Sequence, residues 1–135
     1  MTYAFPLTGL VTILCLFIFL WMAIKTGQSR MKHETPAPAM QGPDELMRVI
    51  RVHGNTMEGL MMFFPALWLF AFLWGDLWAG MIGVIYPISR IIYARGYYTE
   101  AGKRSLGFTI GFLSTVVLLV GSLIGLVMAA LSVYG

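Results

Sequence analysis

The stretch RVHGNTMEGLMMFFPALWLFAFLWG, Arg51 to Gly75, decides the fold. From Leu60 onward it is apolar enough to sit in a lipid bilayer, whereas the residues before Leu60 include Arg, His, Asn and Glu. Polar side chains at membrane depth are costly and usually face a bundle interior or a water-filled cavity. The stretch therefore predicts a membrane helix whose first turns either protrude from the bilayer or line a polar cavity.

The composition of the whole chain also indicates a membrane protein. Of its 135 residues, 59% are hydrophobic and 11% are charged, whereas a soluble domain carries about 25% charged residues. This length predicts one domain, residues 1–135. The net charge of +3 comes from few basic residues beside apolar spans, so we interpret it as charge at a membrane surface and expect no nucleic-acid partner.

Apolar runs of about 20 residues, the length that crosses a bilayer, predict an all-α integral membrane protein. The predicted bundle of four transmembrane helices covers residues 6–24, 44–74, 77–97 and 105–133, with a polar loop at 25–43. The first run has no basic segment before it and no small-residue cleavage site after it. We therefore expect a retained helix there and not a signal peptide.

The basic residues predict the orientation of this bundle. All nine Lys and Arg side chains fall at the end of the first or third span or at the start of the second or fourth. These places share one side of the membrane, and Asp76 and both chain termini lie on the other. Loops rich in Lys and Arg stay preferentially in the cytoplasm. We expect both termini outside and the basic loops cytoplasmic, in the inner membrane if the cell is bacterial.

Polar residues of the second and third spans form two stripes, because positions three or four apart share a helix face. The stripe on the second span covers an arc of about 80° and consists of Arg48, Arg51, Asn55 and Glu58. The stripe on the third span consists of Tyr86, Arg90, Tyr93 and Tyr97. Arg104 and Ser105 open the fourth span on the same side of the membrane.

The charges on these faces indicate a ligand. Glu58 is the one carboxylate among them, and pairing it with Arg51 or Arg104 leaves Arg48 and Arg90 uncompensated. Guanidinium groups suit carboxylates because they donate two parallel hydrogen bonds. We therefore predict a small anionic ligand, and the apolar surfaces beside the stripes predict a second, lipophilic one.

Other kinds of site have little support in the sequence. His33 and His53 are isolated and no Cys accompanies them, so we expect no metal site. We interpret His53 as a hydrogen-bonding or structural residue in preference to an acid–base catalyst. Cys15 lies in an apolar run, which is typical of a small buried side chain.

With these residues in view, the chain resembles the MAPEG family, the membrane-associated proteins in eicosanoid and glutathione metabolism. RVHGNTMEGLMMFFP is similar to the family's Arg-x-x-x-Asn-x-x-Glu signature, and RIIYARGYYTEAGKRSLG is similar to its Arg-x-x-Tyr-x-x-x-Tyr-x6-Arg pattern. His53 stands where some members have Gln, and Gly54 where some have a basic residue. Gly59 replaces the tyrosine of the leukotriene C4 synthase branch, so the chain looks more like the bacterial members that resemble microsomal glutathione transferases.

The resemblance implies a homotrimer with glutathione as co-substrate, bound between neighbouring subunits near the cytoplasmic face. The positions that match glutathione-binding residues are Arg51, Asn55, Glu58, Tyr93, Tyr97 and Arg104, with Arg30 and Arg48 as weaker matches. His53 and Arg90, beside these positions, complete the candidate set. Arg104 matches an arginine that stabilises the glutathione thiolate, and Ser105 matches a serine implicated in some members.

The expected activity is that of a membrane-bound glutathione transferase acting on lipophilic electrophiles from the bilayer, with glutathione peroxidase activity as an extension. One alternative is a non-catalytic lipid-binding or scaffold protein of the same fold, against which the presence of Arg104 and the tyrosines argues. Another is a small multidrug-type transporter. That class requires an acidic residue deep in the first span, and residues 6–24 contain none.

Overall fold

The computed structural model describes residues 4–135, in which all regular structure is helical. The helices are α1 (Pro6–Lys32), α2 (Asp44–Trp74), α3 (Asp76–Gly83), α4 (Ile85–Thr99) and α5 (Ser105–Tyr134), with a 3-10 turn at Ala101–Arg104. Helices α3 and α4 together make one span, so the described residues hold four segments long and apolar enough to cross a membrane. The all-α class and the four spans are confirmed.

The first helix is longer than its apolar run predicts. Helix α1 continues to Lys32, so the predicted loop at 25–43 is wrong at its start and the connection covers residues 33–43. The additional turns are polar, and hydropathy therefore gives no sign of them. Lys32 Nζ donates to Glu45 Oε1 at 3.0 Å, which ties the end of α1 to the first turn of α2.

The third span is interrupted at Val84, between α3 and α4. Pro87 lies three residues further on, and a proline inside a helix lacks the N–H that would bond to the carbonyl four residues earlier. That carbonyl belongs to Gly83, the last residue of α3. The break therefore falls where the hydrogen-bond ladder loses a donor.

Helix α5 approaches α4 closely through two of its glycines. A Cβ atom on Gly107 would overlap the backbone of Tyr93, and one on Gly111 would overlap the Ser89 hydroxyl. Small residues spaced four apart permit this kind of contact between membrane helices. The contact places the start of α5 directly against Tyr93.

Asp76, the first residue of α3, caps the N-terminus of α1. Its Oδ2 accepts a hydrogen bond from the Leu7 N–H at 2.9 Å, and its Oδ1 accepts from the Thr8 N–H and the Thr8 hydroxyl, each at 2.8 Å. The first N–H groups of a helix have no partner within it, and a carboxylate is favourable at that end of the helix dipole. Asp76 thus joins the start of α1 to the start of α3.

Asp76→Ala is expected to lower the free energy of unfolding by about 1–2 kcal/mol, because it removes a helix cap. Asp76→Asn should lose less, since its amide oxygen still accepts a hydrogen bond. Thermal unfolding in detergent measures both. Glu100→Ala removes a carboxylate from an exposed ion pair with Lys103 and is the control; a loss no larger for Asp76→Ala than for Glu100→Ala would show that the cap contributes nothing.

Candidate functional site

A polar cleft opens between α2, α4 and α5, at the end of the bundle where α4 leads into α5. Its volume is about 470 Å³, and its lining residues are Arg51, Asn55, Tyr93, Tyr97, Arg104, Ser105, Phe108 and Thr109. All but Phe108 and Thr109 are candidates from the sequence. Three separate helices therefore bring these predicted residues into a single cavity.

An apolar pocket of about 250 Å³ adjoins the polar cleft and shares Asn55 and Phe108 with it. Met62 and Phe112 line this pocket, and they lie further along α2 and α5, toward the middle of each span. Glu58 also lines this pocket and is exposed. A polar and a lipophilic molecule bound in the two cavities would meet at the shared boundary.

The charged groups of the site do not neutralise one another. In residues 4–135, no ion pair joins Arg51 or Arg104 to Glu58. Arg104 Nη1 donates to the Ala101 carbonyl at 3.2 Å, and its guanidinium carbon lies 5.3 Å from the centroid of the Tyr97 ring. These contacts orient the arginine and leave its charge uncompensated, so the polar cleft is suited to an anion.

The start of α5 adds to this positive potential. Arg104 occupies the N-cap position of α5 and Ser105 is its first residue, so both lie at the positive end of the helix dipole. The 3-10 turn Ala101–Arg104 runs directly into α5, so the positive end of the combined helical segment lies at residues 101–105. The polar cleft thus combines two arginines with a helix N-terminus.

Arg90 lines the apolar pocket and is only 4% exposed. Its Nη2 donates to Asn55 Oδ1 at 2.9 Å and to Thr56 Oγ1 at 2.7 Å, and its guanidinium carbon lies 4.0 Å from the Tyr93 ring centroid. Arginine can only donate hydrogen bonds, so Asn55 must turn its oxygen toward Arg90. The Asn55 amide nitrogen then remains as a donor for a ligand.

Sequence reasoning did not single out Thr56, Phe108 or Thr109. Thr56 is 1% exposed, and its hydroxyl accepts hydrogen bonds from both Nε and Nη2 of Arg90. The available sequence signal was a threonine, Thr56, directly after Asn55. Phe108 and Thr109 follow Ser105 by about one helical turn, which places them on the same side of α5.

The remaining candidates lie outside both cavities of the subunit. Arg30 Nη1 donates to the Ala39 carbonyl at 2.6 Å and so holds the 33–43 connection. The His53 ring stacks on Phe19 of α1 with centroids 4.5 Å apart. Arg48 Nε points to the Tyr98 carbonyl at 3.4 Å. The stripe on the second span is therefore divided. Arg51 and Asn55 line the polar cleft, whereas Arg48, at the edge of the stripe, faces the end of α4.

Gly59 lacks a side chain where the Tyr86 hydroxyl approaches α2. The ring of Tyr86 stacks on Phe63 with centroids 4.1 Å apart, and a Cβ atom on Gly59 would overlap the Tyr86 hydroxyl. A phenol from α4 thus reaches α2 at Gly59, and a larger residue at this position would have to displace it.

Comparisons with known proteins identify the family of the chain. The model of the MAPEG family matches residues 8–124. The chain is 40% identical over 118 residues to an uncharacterized protein of Synechocystis, covering 87% of this chain and 86% of that one. It is 32% identical over 101 residues to microsomal glutathione S-transferase 2 of Homo sapiens (73% and 69%) and 28% identical over 98 residues to leukotriene C4 synthase of Cavia porcellus (73% and 65%).

Proposed function

Because the chain belongs to the MAPEG family, we propose that it is a membrane-bound glutathione transferase that conjugates the glutathione thiolate to lipophilic electrophiles. One observation carries the proposal: a cationic polar cleft and an apolar pocket meet at Asn55 and Phe108. Its relative named as a microsomal glutathione S-transferase supports the choice of glutathione. Reduction of lipid hydroperoxides by the same thiolate is a natural extension of the activity.

The polar groups of the cleft suit the chemistry of glutathione, which has two carboxylates, an amine and a thiol. Arg51 binds a carboxylate through its guanidinium fork, and Glu58, which lines the adjoining apolar pocket and not the cleft, binds the amine across the boundary of the two cavities. Asn55 Nδ2 and the hydroxyls of Tyr93 and Tyr97 supply neutral hydrogen bonds. The cleft volume of about 470 Å³ falls in the usual range of about 300–1,000 Å³ for small-molecule sites.

Arg104 activates the thiol. A thiol with a pKa of about 8.5 is only about 3% ionised at pH 7. A cation that lowers this pKa by ~2 units supplies ~2.7 kcal/mol of differential stabilisation, which makes roughly three-quarters of the thiol a thiolate. The thiolate sulfur then attacks the electrophilic carbon, a C–S bond forms, and the leaving group departs with the bonding electrons. Ser105, beside Arg104, donates a further hydrogen bond to the sulfur.

The lipophilic reactant enters the apolar pocket from the bilayer. Met62 and Phe112 line the pocket and are 53% and 54% exposed, so the pocket is open on the side that faces lipid. Tyr86 and Phe108 also line the pocket, and Phe108 is shared with the polar cleft. A lateral entrance of this kind selects substrates by their partition into the membrane.

A homotrimer accounts for the candidates that lie away from the cleft. Phe19 and Arg30 are eleven residues apart on α1, so they share a face, and His53 stacks on Phe19. The stacking holds this side of α1 against α2 of the same subunit, so Arg30 and His53 would reach the glutathione of a neighbouring subunit from the edge of the α1–α2 contact. In the cell we place the clefts on the cytoplasmic side, where the basic loops lie and glutathione is available, with both termini outside.

A conjugation assay tests the proposed function. The purified protein in detergent or nanodiscs receives glutathione and chlorodinitrobenzene, with cumene hydroperoxide as a separate peroxidase substrate. We expect turnover that saturates with glutathione. Calorimetric binding of glutathione without any turnover would instead support the non-catalytic alternative, and absence of both would remove the proposal.

Arg90 is expected to act on glutathione binding through Asn55. Arg90→Met removes one hydrogen bond to Asn55 and should weaken glutathione binding roughly tenfold, the effect of one charge-assisted bond of about 1.5 kcal/mol. In an Asn55→Ala background the same change should cost almost nothing further. Calorimetry on the two single variants and the double variant measures this coupling; additive losses would mean that Arg90 contacts the ligand itself.

A further inference from the structure

A second cationic cavity lies away from the polar cleft, where α1 ends and α2 begins. Its volume is about 420 Å³, and none of its lining residues is shared with the polar cleft. We call it the cationic basin, and its principal lining residues are Lys25, Ser29, Lys32, Arg48 and Tyr98. Glu45 also lines it and pairs with Lys32 at 3.0 Å. Lys25 and Arg48 therefore leave a net positive charge.

The floor of the cationic basin holds two hydroxyl groups that lack partners. In the described part of the chain, neither Ser29 Oγ nor the Tyr98 hydroxyl makes a hydrogen bond, although both atoms are buried. Ser29 is only 7% exposed. Buried polar groups are nearly always hydrogen-bonded, so these two hydroxyls call for an acceptor within the basin. An anionic oxygen that reached them from the basin would accept their hydrogen bonds beside the nearby cations.

An apolar groove lies next to the basin, toward the middle of the membrane. Helices α1 and α4 form this groove, whose volume is about 340 Å³ and whose lining residues are Phe17, Ile18, Trp21, Ile91 and Arg95. Lys25 follows Trp21 by four residues, so the groove and the basin lie on one face of α1. The rings of Trp21, which lines the groove, and Tyr98, which lines the basin, meet edge to face with centroids 5.9 Å apart, so the two cavities are neighbours.

We propose that the cationic basin and the apolar groove together bind one anionic phospholipid per subunit, with the phosphate in the basin and an acyl chain in the groove. The basin lies at the end of the spans, the depth of lipid headgroups, and the groove lies beside the hydrocarbon. The long side chain of Arg95 can extend along the groove to the headgroup. A free anion would fill the basin and leave the groove unexplained, so the ligand is a lipid.

Native mass spectrometry of the protein in mild detergent tests the proposal. The lipids are phosphatidylglycerol and phosphatidylcholine with the same acyl chains, and a third arm adds inorganic phosphate at the concentration of the lipid. We expect phosphatidylglycerol to bind at least tenfold more tightly than phosphatidylcholine and to remain bound in the presence of phosphate. Equal binding of the two lipids, or displacement by inorganic phosphate, would overturn the proposal.

A matched pair of lysines locates the bound lipid. Lys32 and Lys103 have side chains 63% and 64% exposed, and each pairs with one carboxylate, but only Lys32 lines the basin. Lys32→Gln should weaken phosphatidylglycerol binding about fivefold, the usual effect of one basic residue at a membrane surface, whereas Lys103→Gln should not. Ser29→Met fills the basin without a change in charge and should weaken binding similarly. Equal effects of Lys32→Gln and Lys103→Gln would place the lipid elsewhere.

Discussion

Arg104→Ala is expected to lower the rate of glutathione conjugation roughly 25-fold at pH 7 and saturating glutathione, because the bound thiol returns from about three-quarters to about 3% ionised. The loss depends on pH in a defined direction. In the proposed mechanism Arg104 favours the thiolate and lowers the pKa of the thiol, so its removal should raise that pKa toward about 8.5. The deficit should therefore be largest near neutral pH and almost disappear above about pH 9.5. The pH profile of kcat measures it.

Two further variants show whether the charge at this position is responsible. Arg104→Lys keeps a cation and should retain much of the shift in the pH profile. Lys103→Ala removes the adjacent cation, which pairs with Glu100 at 3.6 Å and does not line the cleft, and should leave the profile unchanged. A 25-fold loss that persists unchanged at high pH would mean that Arg104 contributes to binding and not to ionisation.

Arg51→Ala is expected to raise the Kd for glutathione roughly 10- to 150-fold, since a hydrogen bond to a charged group contributes about 1.5–3 kcal/mol. Arg51 is exposed and lines the cleft, so its substitution should leave the fold intact. Isothermal calorimetry in detergent measures the Kd. Arg95→Ala is the control, because this arginine lines the groove between α1 and α4 and not the polar cleft.

Monoesters of glutathione identify which carboxylate Arg51 is proposed to bind. Esterification of that carboxylate should weaken binding to the unaltered protein and cost little more in the Arg51→Ala variant. Esterification of the other carboxylate should weaken both proteins by the same factor. If Arg51→Ala weakens both esters and free glutathione alike, then Arg51 does not pair with a carboxylate.

The fold could be predicted from the sequence because a membrane helix must satisfy its backbone hydrogen bonds within itself. Long apolar runs therefore predict spans directly, as they do for α2 and α5. The end of α1 was not accessible in this way. Beyond Ile24 the helix is polar, so hydropathy does not predict it. At its end Lys32 pairs with Glu45 of α2, a contact that the local sequence does not reveal.

Only part of the candidate site could be predicted from the sequence. Periodicity places Arg51 and Asn55 on one helix face, and the structure brings both to the polar cleft. Periodicity cannot tell which neighbouring helix each edge of a stripe will meet, so it groups Arg48 with them although Arg48 lines the cationic basin. It also cannot show that Arg90 is buried beneath Asn55, because that depends on contacts between α2 and α4.

The most direct test of the account is the ultraviolet absorbance of a thiolate after glutathione is added to the protein at pH 7. The unaltered protein should show thiolate absorbance close to one equivalent per occupied cleft, and Arg104→Ala should bind glutathione with almost none. Calorimetry on the same samples establishes that the clefts are occupied. Bound glutathione without thiolate absorbance in the unaltered protein, or equal absorbance in the two proteins, would contradict the account.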